Sequence, residues 1–143
     1  MHKWVIVDLD GTLADCSHRV PLIPDWDAFH AGCSDDPAYM HIVELVRLLQ
    51  RHHDICILTG RSSKVRSETE AWLTGYGIEW DALFMRPETD FTPDVEFKWR
   101  IAQDFFGPHI LQKVWLVIDD RDKVVQMWRD KGLTCLQPRL GDY

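Results

Sequence analysis

Asp8 and Asp10 stand two residues apart in the string WVIVDLDGTLAD, positions 4–15. An extended backbone turns residues i and i+2 to one side, so the two carboxylates face the same way. Asp10 lies either on the strand or already in the turn that Gly11 permits. Neighbouring carboxylates repel and are costly to desolvate unless a cation or a shared proton relieves them. Such a pair can supply a nucleophile beside a proton donor, or half of a metal site. A second pair, Asp119 and Asp120, follows the apolar run Val114–Ile118. Four carboxylates at two strand ends suit Mg²⁺, a hard cation that prefers oxygen. No His or Cys arrangement competes for it. The plainer alternatives are an Asp-Gly turn at the first pair and a helix cap, from Asp120 or Asp122, at the second.

Two further stretches suit phosphate. Leu58-Thr59-Gly60-Arg61 ends a second apolar run and precedes a helix. Its hydroxyl, free backbone N–H groups and guanidinium all match phosphate oxygens, and helix N-termini attract anions. Lys98 sits in DVEFKWRIA near a helix start, with Arg100 as a neighbour of similar chemistry. Lys98 is favoured because Val95, Trp99 and Ala102 mark the buried stripe and leave it at the edge. Arg19 and Arg61 are candidates for the rest of a substrate. Trp26 or Phe29 is a candidate for stacking on a base, although packing of the chain around them is the commoner role of such rings.

The elements that must position these residues alternate between strand and helix. Val5–Val7 is a β-branched run of the kind buried on both faces of a sheet. Residues 16–36 have no clear period and are interrupted by Pro21, Pro24 and Gly32. They read as a long flap, from about 14 to 36, over the end of the first strand. Asp36 and Pro37 read as the start of a helix carrying Ile42, Val43, Leu45, Val46 and Leu49. A strand is expected over 54–58. The next helix is capped by Ser62 or Ser63, buries Val65, Thr69, Trp72 and Leu73, and ends at Gly75 or Gly77. A weak strand at 82–85, a helix from Thr92 to about Phe106, a strand at 114–118, a helix at 122–131 and a strand at 133–136 complete the series. Strands alternating with helices imply an α/β, Rossmann-like fold. Its central parallel sheet would have about five strands with helices on both faces and no large cap domain. With 143 residues, the chain is expected to form one domain with a real core.

The totals narrow the function. Net charge is −7, which argues against a broad nucleic-acid-binding face but not against holding one strand end through a few local cations. No apolar run approaches 18 residues, so no membrane span is expected. The N-terminus enters a strand directly rather than a signal peptide, which gives a cytoplasmic expectation. Cys16, Cys33, Cys56 and Cys135 form no Cys-x-x-Cys pair; Cys56 and Cys135 read as small core residues.

Taken in order, Asp8/Asp10, Thr59, Lys98 and Asp119/Asp120 resemble the motifs of the haloacid dehalogenase (HAD) superfamily of phosphotransferases. A narrower resemblance lies in IDDRDKVVQMWRDKGLTCLQPRLGDY, which is similar to the end of the 3′-phosphatase domain of bacteriophage polynucleotide kinase-phosphatases. Thr59-Gly60-Arg61 corresponds to that family's Ser-Gly-Arg. The string Gly-x-x-x-x-Gly-Lys-Ser/Thr is absent, so 5′-kinase activity is not expected, and the flap with Trp26, Phe29 and Cys33 does not match.

The resemblance implies that Asp8 is the nucleophile, forming an aspartyl-phosphate, and that Asp10 is the acid and then the base. Thr59 and Lys98 would hold phosphoryl oxygens, with Gly60, Arg61 and Arg19 on the substrate. Mg²⁺ would be held by Asp8, the Asp10 backbone carbonyl, and Asp119 or Asp120. The expected activity is removal of 3′-phosphates from polynucleotide ends in nucleic-acid end repair. The alternatives are hydrolysis of small nucleotides or other phosphomonoesters, and a non-catalytic end-binding or phospho-acceptor domain. A separate kinase or ligase partner is compatible with this reading, but no residue specifies one.

Overall fold

The structure is a computed structural model and describes residues 2–143. Its centre is a parallel five-stranded sheet: β1 (Trp4–Val7), β2 (Asp54–Ser62), β3 (Ala82–Arg86), β4 (Val114–Ile118) and β5 (Cys135–Leu136), in the order β3-β2-β1-β4-β5. Val7 pairs with Ile57 on one side and Ile118 on the other. The strand carrying the first acid pair is therefore flanked by those leading to Thr59 and to Asp119.

Successive strand side chains point to opposite faces, and the core divides accordingly. Val5, Val7, Ile55, Ile57 and Ile118 pack with α2 (Met40–Leu49) and α3 (Arg66–Gly75). Ile6, Cys56, Leu58 and Val117 pack with α4 (Asp94–Phe106), the short α5 (Ile110–Lys113) and α6 (Asp122–Asp130). Each aliphatic side chain fully withdrawn from water contributes about 1.5–3 kcal/mol. These two layers carry the stability, because buried charged groups at the rim contribute little or cost free energy. All four cysteines are free thiols. Burial pushes the Cys56 thiol up to about 12, which keeps it an inert core residue.

Several expected boundaries shift. Helix α2 begins at Met40 after Tyr39, not at Asp36 and Pro37; no side chain caps it. The Asp36 carboxylate is taken by charged partners described below. The tight path there is fixed by the backbone, Tyr39 N–H donating to the Leu13 carbonyl at 2.8 Å. Strand β2 runs on to Ser62, irregular between Leu58 and Ser62, so Thr59-Gly60-Arg61 belongs to the strand's end. Ser62 accepts from Lys64 N–H and caps the turn leading to α3. Helix α4 starts at Asp94 and buries Phe97, Lys98, Ala102 and Phe106, while Val95 and Trp99 are only partly covered. The buried face is thus rotated from the expected one, and Lys98 lies inside it. Helix α5 is too short to show a period.

Residues 16–36 are not a featureless flap. Ser17–Leu22 and Cys33–Asp35 form 3-10 turns around α1 (Trp26–Ala31), whose first turn is capped by Asp25 accepting from Ala28 N–H at 3.2 Å. Arg19, Phe29 and Cys33 are buried, so the segment is anchored over the end of β1. No separate cap domain is present among the described residues.

Candidate active site

Asp8, just past β1, and Asp119 and Asp120, just past β4, meet at one rim of the sheet. All three are buried, and they offer oxygens within 4.8 Å of one another. Lys98 reaches into the cluster from α4. Its Nζ donates to Asp8 Oδ1 at 2.9 Å and Asp119 Oδ2 at 3.0 Å, and lies 3.7 Å from Asp94 Oδ2. Thr12 Oγ1 lies 3.1 Å from Asp8 Oδ2 and 3.2 Å from Asp120 Oδ1. Trp128 Nε1–H points at Asp119 Oδ2 from α6 at 3.4 Å, and Tyr143 hydroxyl donates to Asp120 Oδ2 at 2.6 Å. Gly11, at φ +84°, makes the turn under this cluster, and any Cβ there would collide with the Asp120 carboxylate. Only glycine satisfies both demands.

Burial, reinforced by the negative charge of Asp8, pushes the Asp119 and Asp120 carboxyls above the ordinary range, with Lys98 opposing it at Asp119. Burial alone would lower the Lys98 ammonium, but the charges of Asp119, Asp8 and Asp94 outweigh it and hold the lysine protonated. One buried cation facing three buried carboxylates leaves excess negative charge. The donor set is all oxygen, and its three residues are preorganised. Asp8, Asp119 and Asp120 therefore fit a hard divalent cation. Asp10 stands outside this triad by its side chain.

The Asp10 carboxylate is held instead by two guanidinium groups. Its Oδ1 accepts from Arg19 Nη2 at 2.8 Å and Arg61 Nη2 at 2.5 Å. Burial by itself would raise its carboxyl; Arg61, by charge and hydrogen bond, and then Arg19 hold it below the ordinary range. Both arginines also meet Asp36 Oδ2, at 2.7 Å and 3.3 Å, and Arg19 donates to the Phe29 carbonyl with its guanidinium over the Phe29 ring. His18 Nε2 lies 2.7 Å from Asp36 Oδ1. Arg19 and Arg61, the candidates for the rest of a substrate, are 1% exposed and turned onto these carboxylates. They tie the flap, β2 and Asp10 into one network. Removing one partner of a buried ion pair costs about 3–5 kcal/mol, because the charge left behind stays desolvated. Asp36→Ala should lower stability by about that amount in urea unfolding; an unchanged midpoint would show that Asp10 alone suffices as partner to both arginines.

On the β2 side, Thr59 is buried and its Oγ1 accepts from Arg61 N–H at 3.0 Å, which leaves its own proton to donate elsewhere. A Cβ on Gly60 would lie 2.5 Å from Asp94 Oδ1, so a larger residue there would have to displace the Asp94 carboxylate. Asp94 also pairs with Arg86 at 3.0 Å and Arg121 at 3.6 Å. Trp26 is 54% exposed on the flap while Phe29 is buried.

The structure thus gathers Asp8, Lys98, Asp119 and Asp120 into one cluster, and Asp10, Arg19 and Arg61 into a second beside it. Sequence reasoning gave no place in the site to Thr12, Asp36, Asp94 or Tyr143, and read Asp36 as a helix start. Thr12 had a signal in its fixed place after the acid pair. Asp36 and Tyr143 had none, since their partners are far away in the chain, whereas Asp94, four residues before Lys98, had the spacing of an ion pair along a helix.

The model of the polynucleotide kinase PNKP phosphatase domain matches residues 2–143. The chain belongs to this phosphatase family. Two solved structures are similar over its whole length. One is a chain of the Pnkp1/Rnl/Hen1 RNA repair complex, at 30% identity and TM-score 0.86, 44% of which is covered. The other is a chain of a Pnkp1/Rnl/Hen1 complex, at 31% identity and TM-score 0.82, 48% of which is covered. The PNKP-type phosphatase chain described here thus spans less than half the length of either. A haloacid dehalogenase-like hydrolase from Streptococcus pneumoniae shares the fold at 14% identity and TM-score 0.60, with 95% of this chain and 84% of that one covered. The sheet order, the layers and these likenesses establish the HAD fold. Among the described residues, no helix is long and apolar enough to cross a membrane.

Proposed function

We propose that this PNKP-type phosphatase removes 3′-phosphates from polynucleotide ends through an aspartyl-phosphate on Asp8. The observation that carries this is Asp8 itself, buried between the Lys98 ammonium and two further acids at the end of the central strand. Likeness to a chain of an RNA repair complex supports a nucleic-acid end as substrate, and repair proteins as partners.

Asp8 attacks phosphorus in line and displaces the sugar oxygen; Asp10 gives that oxygen a proton. Water then attacks the aspartyl-phosphate, Asp10 takes its proton, and phosphate leaves. Lys98 and the Thr59 hydroxyl hold phosphoryl oxygens as charge shifts onto them. Mg²⁺ held by Asp8, Asp119 and Asp120, with the Asp10 backbone carbonyl, would offset the repulsion between carboxylate and phosphate. Arg19 and Arg61 keep Asp10 ionised while the site is empty of substrate. Asp10 is then already set as the base. An arriving phosphate that draws either guanidinium toward itself would loosen Asp10 and let it take up the proton that the first step needs. Trp26 would stack on a base of the strand.

The test is a phosphate-release screen with Mg²⁺ on a 3′-phosphorylated oligonucleotide, a 5′-phosphorylated one, and free mononucleotides. The 3′-end should be the fastest; equal or faster release from mononucleotides would favour the second reading, a small-nucleotide phosphatase, to which the net charge of −7 points. Excess EDTA should abolish release and added Mg²⁺ restore it. An undiminished rate in EDTA would remove the metal from the scheme.

A further inference from the structure

We infer that Tyr143 is a positioning residue of the metal site, its phenol hydroxyl holding Asp120 in the orientation in which the triad takes up a divalent cation. This rests on the reading of Asp8, Asp119 and Asp120 as that site. Thr12 has one hydroxyl proton and stands within reach of both Asp8 and Asp120, so it can donate to only one of them at a time. When it donates to Asp8, Tyr143 is the remaining side-chain donor to Asp120 among the described residues, at 2.6 Å.

The contact is built rather than incidental. Gln137 Nε2 donates to the Asp120 carbonyl at 2.9 Å and to Asp122 Oδ1 at 2.7 Å. Gly141 N–H donates to the same Asp122 oxygen at 2.9 Å, and Asp122 N–H donates to the Gly141 carbonyl at 2.7 Å. Gly141 sits so close that a Cβ would lie 2.5 Å from the Asp120 carbonyl oxygen. The Arg121 guanidinium is 5.3 Å from the centre of the Tyr143 ring. Residues 137–143 are thus sewn to the loop that carries the second acid pair, and the register of that seam delivers the phenol to Asp120. A neutral O–H donor orients the carboxylate without competing for its charge, as a lysine would. Losing it frees Asp120 to rotate away from the triad.

The test uses Tyr143→Phe, which keeps the ring. Binding of Mn²⁺ to the protein alone is followed by electron paramagnetic resonance, and phosphate release from a 3′-phosphorylated oligonucleotide is titrated with Mg²⁺. A hydrogen bond to a charged group sets the scale, so the variant should bind Mn²⁺ about tenfold more weakly. Its half-saturating Mg²⁺ should rise by a similar factor, with the rate at saturating Mg²⁺ within about twofold of wild type. Unchanged Mn²⁺ affinity in Tyr143→Phe, beside normal binding by the wild type, overturns the proposal alone. So does a loss of rate that saturating Mg²⁺ fails to restore. Failure of the wild type to bind Mn²⁺ overturns the reading of the triad and the proposal with it.

Discussion

Asp8→Asn should release phosphate at least about a thousandfold more slowly than wild type, while folding normally. The amide has no anionic oxygen to attack phosphorus, and no neighbouring group replaces it: Asp119 is engaged by Lys98, and Asp10 by Arg19 and Arg61. The fold should survive because Lys98 keeps Asp119 as a partner, and because removing the Asp8 charge relieves a repulsion that helps to push both Asp119 and Asp120 upward. Phosphate release and thermal unfolding on the same preparation check both halves. Near-normal turnover would refute Asp8 as nucleophile.

Lys98→Met combines a loss of activity with a loss of stability. The ammonium is 2% exposed and lies against Asp8, Asp119 and Asp94. Without it the metal-free protein holds buried carboxylates with no buried cation among them. Destabilisation of about 3–5 kcal/mol is the expected scale for such a break. Phosphate release should fall about a hundredfold or more, as when one donor to the developing charge is removed. Urea unfolding with and without Mg²⁺ separates the two effects, because a cation that binds only the folded triad should recover part of the stability. An unchanged midpoint in the metal-free variant would mean that the acids do not depend on the lysine.

The layered fold was legible because its signals are local. Val5–Val7 and Val114–Ile118 are short β-branched or apolar runs that end in acid pairs, and a parallel sheet with helices on both sides follows from their alternation with helices. Asp8, Thr59, Lys98 and Asp119 stand out because each follows or opens such an element. What failed to show depends on distance in the chain. Asp36 beside Pro37 has the local signature of a helix start, yet its carboxylate neutralises Arg19 and Arg61, and an ion pair between β2 and the flap leaves no periodicity to detect. Lys98 looked like a stripe-edge residue because Val95 and Trp99 are apolar. The helix instead turns Phe97 and Lys98 inward, where the acids make burial of a lysine tolerable. Tyr143 touches Asp120 only because residues 137–143 fold back, and nothing in their composition announces that path.

The strand order gives the rim a left and a right. Asp8 lies just past the end of the middle strand, with the Thr59 hydroxyl always on its β2 flank and Asp119 and Asp120 always on its β4 flank. A phosphoryl group seated on Asp8 would therefore meet different chemistry at each of its terminal oxygens. Atoms that are equivalent in free solution become inequivalent there, and the handedness of the fold is imposed on a substrate group that has none of its own.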